Sequence, residues 1–299
     1  MDSYLYSCYG LIISSTIPCP ELQETTDSAE PDILVTEGKT PAQLTNPNRK
    51  AARFSVAERE LLLEVDGIAR FWVRNGNQIV VEKSSSCALD DVRVFLYGTA
   101  FGAALLQQGR VPLHATTITN GSSTLAFAGP SGAGKSTIAY TFLQRGWKLV
   151  ADDVSALSTI GGKLHAQPAF PSIKLWRDVL ETSQFDVSTL KPIRAEFDKY
   201  RWNVANRFHS RPALLSHIIG LFPHHGNAIE IEKPTGVEKF KYLTHQTYRR
   251  QMIDGMADRS HIFGVWAQTL DQVDLWHIKR PQSPMDPAAL ADAIEKLLA

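Results

Sequence analysis

Residues 129–136, Gly-Pro-Ser-Gly-Ala-Gly-Lys-Ser, fit the pattern G-x-x-x-x-G-K-[ST] without a mismatch. An apolar run, Leu125-Ala126-Phe127-Ala128, enters the motif and a helical segment from Thr137 to Arg145 leaves it, which are the flanks this pattern needs. Gly129, Gly132 and Gly134 let successive backbone N–H groups point inward around a phosphate chain, and the positive end of the following helix adds to the attraction. Pro130, Ser131, Ala133 and Thr137 complete the cradle. Lys135 supplies a mobile charge for the outer phosphates, and the Ser136 hydroxyl is placed to ligate Mg²⁺. An empty glycine-rich strand-to-helix turn is the alternative, and the flanks weigh against it.

One helix later the chain reads Lys148-Leu149-Val150-Ala151-Asp152-Asp153, a short apolar strand ending in two carboxylates. Gly146 is a left-handed stop signal after Arg145. Adjacent residues at a strand end diverge, so one carboxylate can approach a metal shell while the other faces an incoming hydroxyl. An isolated Asp-Asp pair is more often a solvated turn; the motif one helix earlier reverses that reading. The expectation is Asp152 as proton acceptor and Asp153, with Ser136, as metal ligand, with the reverse assignment left open.

Leu113-His114 before the loop strand, the loop at 129–136, and Arg145-Gly146-Trp147-Lys148-Leu149-Val150-Ala151-Asp152-Asp153-Val154 together resemble the HPr kinase/phosphorylase family over residues 110–158. Tyr9-Gly10-Leu11, Pro18-Cys19-Pro20-Glu21-Leu22 and Leu96-Tyr97-Gly98 extend the resemblance to the small kinases of lasso-peptide biosynthesis, which phosphorylate a serine of a precursor peptide. The resemblance implies an α/β fold with a phosphate-loop kinase core of the HPr kinase / phosphoenolpyruvate carboxykinase type. It implies ATP and Mg²⁺ as cofactors and, as acceptor, a serine-type hydroxyl of a peptide or small protein. It also implies His114 beside Asp152 and Lys135 among the catalytic groups. The C-terminal signature of the longer HPr kinases is not visible here, so phosphorolysis is not implied. Small-molecule kinases, carboxykinase chemistry and a nucleotide-sensing interaction module are the competing readings. The intact Lys135, Ser136, Asp152 and Asp153 argue against a dead site.

The elements that must position these groups divide the chain into a β-rich region, 1–88, and a nucleotide-binding catalytic domain, 89–299. Tyr4 to Ser14, Asp32 to Val35, Leu61 to Val65, Phe71 to Val73 and Ile79 to Val81 read as strands of a small meander. Asp66-Gly67 and Asn75-Gly76 are hairpin signals, and the proline-bearing stretch from Glu24 to Asn48 reads as loop around one strand. Val92 to Leu106 reads as a buried helix capped by Asp90 or Asp91. It carries a Gly98-x-x-x-Gly102 pair, and it is too short for a membrane span with flanks. Gly161-Gly162 reads as a hairpin, and Lys174 falls close in sequence to the acidic strand without a firm role. Arg194 to Arg211, where basic and aromatic residues interleave, reads as a two-sided helix rather than a nucleic-acid surface, with a lid or a docking surface for an acidic peptide as the alternative. Lys239 to Met252 reads as a helix with Arg249 or Arg250 able to reach a phosphoryl group, and Asp286-Pro287 opens a closing helix.

The 31 basic and 31 acidic residues cancel, which gives no global pull toward nucleic acid or an anionic membrane. Three cysteines without C-x-x-C spacing suit free thiols in a reducing cytoplasm. The start of the chain lacks a basic leader with an apolar core, so a cytoplasmic location is expected. His209, His217, His224 and His225 have no metal-site spacing. The expected partners are therefore a peptide or small protein bearing an acceptor Ser, with no nucleic acid and no membrane; a homo-oligomer is allowed.

Overall fold

A computed structural model of the chain describes residues 3–27, 29–182, 190, 192–194, 197–282 and 285–298. It is a mixed α/β protein with several sheets, and it falls into two compact units, Met1–Pro112 with Thr247–Trp266, and Leu113–Gln246 with Ala267–Ala299.

Period-two alternation builds the first unit. In Ala69–Arg74 the residues Ala69, Phe71 and Val73 are buried while Arg70, Trp72 and Arg74 are half-buried on the other face. Its sheet has nine strands, in the order Gln23–Glu24, Tyr4–Cys8, Leu11–Ser15, Ile33–Glu37, Gln78–Lys83, Ala69–Arg74, Glu60–Val65, Phe54–Ala57, Arg49–Lys50. The sheet is thus larger than the expected meander. Ile33–Glu37 pairs in parallel with both Leu11–Ser15 and Gln78–Lys83, because the polar stretch on either side of it carries crossing connections rather than hairpins. The hairpins at 66–68 and 75–77 have three-residue loops, each with a glycine in the left-handed region.

The expected helix at Val92 to Leu106 runs as Leu89–Phe95, a π-helical turn at Leu96–Ala100, and Phe101–Gln107. Neither Asp90 nor Asp91 caps it. The cap position is Ala88, and both aspartates lie in the first turn, where Asp90 pairs with Arg93 at 2.5 Å. Gly102 leaves room for a ring from the returning segment, since a Cβ there would stand 2.8 Å from Tyr248 Cδ1. Gln107 is buried, takes the Gly76 N–H at 2.8 Å and donates to Val73 O at 3.2 Å, which ties the helix to the sheet. These bonds are why the unit extends to Pro112 instead of ending at residue 88.

The second unit is built on a six-stranded sheet ordered Lys148–Ala151, Ala115–Thr119, Thr124–Ala128, His217–His224, Asp274–Pro281, Glu230–Glu232. Its core joins Phe127, Ile138, Phe142, Leu149, Ile219, Leu221, Ile278 and Ile294, all fully buried, so the helices Lys135–Gln144 and Pro287–Leu298 close one face. Asp286 caps the latter as expected, its Oδ1 accepting from the N–H groups of Ala288 and Ala289 at 3.0 and 2.9 Å. Gly161 and Gly162, both left-handed, close the expected hairpin.

Two helical expectations fail. The basic-aromatic segment is strand: Phe197–Asn203 pairs antiparallel with Ser172–Trp176, followed by a 3-10 turn at Ala205–Arg207; residues 195–196 lie outside the described residues. Tyr200 is buried between the half-buried Lys199 and Arg201, a strand's period rather than a helix's. Lys239 to Met252 is helical only within Val237–Gln246, and Arg249 takes a left-handed φ of 53° before a 3-10 turn. No described helix is long and apolar enough to cross a membrane.

Candidate functional site

Strand direction collects the site. Lys148–Ala151 is antiparallel to Ala115–Thr119, which is antiparallel to Thr124–Ala128, so the first and last run the same way. His217–His224 and Asp274–Pro281 run parallel to Thr124–Ala128. The glycine-rich loop, the acid pair and the end of Asp274–Pro281 therefore emerge at one sheet edge, where His114 also stands, just before Ala115. Open α/β sheets bind ligands at this carboxyl edge. A cavity of about 320 Å³ opens there, lined by Ser131, Gly132, Gly134 to Thr137, His114, Thr116, Asp152, Asp153, Lys174 and Arg280 among others.

The loop's shape is set by its glycines and its own contacts. Gly132 and Gly134 lie at φ 81° and 91°. Gly129 approaches the next strand so closely that a Cβ would stand 2.7 Å from Leu221 O. Lys135 Nζ donates to Gly129 O at 2.8 Å and Pro130 O at 3.1 Å, folded back over the loop. Burial pushes the Lys135 ammonium below its ordinary value; Asp153 and Asp152 oppose this and Lys199 adds to it.

The two aspartates occupy different environments. Asp152, 7% exposed, accepts from Ser136 Oγ at 3.0 Å and Thr116 Oγ1 at 2.8 Å on Oδ1, and from the Lys174 N–H at 2.9 Å on Oδ2. Asp153 follows at φ 72°, a left-handed conformation that is sparsely populated for a residue with a side chain and turns it away from its neighbour. Its Oδ1 lies 3.4 Å from His114 Nε2 and its Oδ2 3.0 Å from Lys174 Nζ, with a third of the side chain exposed. Burial works against its charge, but Lys174 and then His114 outweigh it and hold the Asp153 carboxyl well below the usual carboxylate range. The carboxylate at the Ser136 hydroxyl is Asp152 and the one beside His114 is Asp153, whereas the expectation grouped Asp153 with Ser136 and left the reverse open.

No protein-family model matches the chain, and no curated protein does. Among solved structures, the HPr(Ser) kinase/phosphatase from Coxiella burnetii is similar at a TM-score of 0.31 and 14% identity, covering 62% of this chain and 93% of that one. A likeness this loose carries neither fold nor chemistry; the cavity's own residues have to.

Those residues suit a magnesium nucleotide. Ser136 Oγ, Thr116 Oγ1 and the two carboxylates form a set of hard oxygen donors, the kind Mg²⁺ prefers, and the cavity lies at the small end of ligand-pocket size. Besides Thr116, two participants were not assigned from the sequence. Arg280 is buried, and donates through Nε to Ala133 O at 3.0 Å and through Nη2 to Gly132 O at 3.2 Å, so it braces the loop from another strand. Burial lowers its pKa. Lys174, left without a firm role, touches both aspartates, Asp152 through its backbone and Asp153 through its ammonium. The signal for Lys174 was its closeness in sequence to the acidic strand; Arg280, 145 residues beyond Lys135, had none. Arg249 and Arg250 belong to the other compact unit and do not line this cavity.

Proposed function

We propose that the chain is an ATP- and Mg²⁺-dependent kinase that transfers the γ-phosphoryl group to a serine-type hydroxyl of a peptide or small protein. The observation that supports it most is the Ser136 Oγ to Asp152 Oδ1 contact of 3.0 Å, which joins the glycine-rich loop to the acid pair within one cavity. The motif order around it resembles that of HPr kinases, and the acceptor resembling the serine of a lasso-peptide precursor is the narrower form of the proposal.

In this reading Gly129 to Thr137 bind the triphosphate through backbone N–H groups. Lys135 exchanges the carbonyls of Gly129 and Pro130 for the outer phosphates. Ser136 and Asp152 would hold Mg²⁺, which when bound neutralises charge on the phosphoryl oxygens. Asp153 orients the acceptor hydroxyl and takes its proton, while His114 and Lys174 fix that carboxylate in place. The acceptor oxygen bonds to the γ-phosphorus as the bond to the β–γ bridging oxygen breaks, and ADP leaves with that electron pair. A transition state with little demand for a strong base tolerates a carboxylate held as acidic as Asp153.

The test pairs Asp153→Asn with Asp152→Asn, measuring nucleotide binding by calorimetry over a Mg²⁺ series and transfer to a Ser-bearing peptide by mass spectrometry. Asp153→Asn is expected to lower transfer by about 10²–10⁴-fold with Mg²⁺-ATP affinity kept within a few-fold. Asp152→Asn is expected to raise the Mg²⁺ requirement and weaken nucleotide binding. If both variants bind and turn over like the parent, the acid pair is structural and the kinase reading fails. The opposite pattern restores the roles expected from sequence.

A further inference from the structure

Four cations line the cavity, and three of them are engaged. Lys135 is bonded to Gly129 O and Pro130 O, and Arg280 to Ala133 O, Gly132 O and Pro281 O, while Lys174 is paired with Asp153. The fourth, Lys199, has no hydrogen-bond or ion-pair partner among the described residues; its Nζ stands 5.6 Å over the Trp176 ring. Trp176 is 42% exposed and lines the same cavity.

Position says which side of the reaction this pair serves. Lys199 and Trp176 are cross-strand partners in the pairing of Ser172–Trp176 with Phe197–Asn203, so they form one platform. Trp176 is two residues beyond Lys174 on the same strand, which puts it on the same face about 6–7 Å further along. Lys174 is the residue that holds Asp153. The platform thus continues outward from the carboxylate given the acceptor's proton, whereas the phosphates are served by the loop's own N–H groups and Lys135. An extended peptide whose hydroxyl rested at Asp153 would reach Trp176 and the Lys199 ammonium with a neighbouring group.

Resting on the kinase reading, we infer that Lys199 and Trp176 form an acceptor subsite for a carboxylate next to the phosphorylated hydroxyl, supplied by the peptide's own C-terminus or by an acidic neighbour. The lone ammonium provides the charge complement, and the indole face takes the apolar part of the backbone and side chain.

The experiment measures calorimetric binding of four short peptides to the full chain: Ser-ending peptides with a free or an amidated terminus, and amidated peptides with Glu or Gln before the Ser. The parent should bind the carboxylate form of at least one pair about tenfold more tightly than its neutral mate. The pair that shows the preference identifies the source. Lys199→Ala should erase the preference and Lys199→Arg should restore most of it, with ATP affinity unchanged in both. No preference in the parent, or a preference that survives Lys199→Ala, overturns the proposal. Loss of ATP affinity in Lys199→Ala with the peptide preference intact would give Lys199 to the nucleotide instead. Because peptide binding is read without turnover, a parent that discriminates carboxylates but neither binds ATP nor transfers phosphate sinks the kinase reading separately.

Discussion

Each compact unit buries an ionic cluster, and the two are finished differently. In the unit Met1–Pro112 with Thr247–Trp266, Arg93 is 7% exposed and meets Glu21 at 2.9 Å and Asp90 at 2.5 Å, while Glu21 accepts the Tyr97 hydroxyl at 2.7 Å. Each charge there is answered by a neighbour within the same unit. Burial drives the Tyr97 phenol far above its ordinary value, so it stays a neutral donor. Around Asp152 and Asp153 the second unit also satisfies its charges, but it leaves a cavity against them and spends a left-handed φ on turning Asp153 into it. A closed cluster fixes packing; an open one keeps its charge facing a cavity.

That contrast breaks most visibly with Lys135→Ala. Transfer should fall by about 10²–10³-fold or more and nucleotide affinity should weaken, with the thermal midpoint scarcely lowered, since the ammonium bonds only to its own loop. A variant with full turnover and unchanged ATP affinity would remove Lys135 from the site. The mirror experiment is Arg93→Met. Leaving Glu21 buried without its cation should cost about 3–5 kcal/mol in a urea titration, while the folded fraction still binds nucleotide like the parent. A stable Arg93→Met protein would mean the first cluster is no more structural than the second.

The smallest effect is the most specific. Asp153 has its folded pKa depressed, so its ion pair contributes stability that is present above the unfolded value of about 3.9 and lost as pH falls through the folded value. Lys174→Met brings the folded pKa back toward the unfolded one. Between neutral pH and strong acid the parent should therefore lose more stability than Lys174→Met does, by about 1 kcal/mol for a pair this exposed. Equal acid sensitivity in the two would show that Lys174 does not hold Asp153.

Much of the second unit was legible because its signals are contiguous. The residues from Leu125 to Asp153 carry strand, loop, helix, stop and acid pair within one stretch, and each piece forms where its local chemistry puts it. Asp286-Pro287 and Gly161-Gly162 were legible for the same reason, a cap and a turn being decisions of a few residues. The segment 197–203 misled because alternating aromatic and basic residues fit either a strand or one side of a helix, and only the partner strand Ser172–Trp176 decides between them.

By itself, then, the sequence determined that a glycine-rich loop precedes a helix, that two carboxylates follow it, and that the stretch carrying them is built from short, strongly cued elements. Tertiary structure decided everything that depends on strand direction. It brought Arg280 to the loop and Lys174 to both aspartates. It placed Lys199 over Trp176, and it set the closing boundary of the first unit through Gln107 and Tyr248. It also fixed which of Asp152 and Asp153 faces Ser136, because that depends on the pairing of Lys148–Ala151 with Ala115–Thr119 and on the backbone turn at Asp153, neither of which two identical neighbouring side chains can encode.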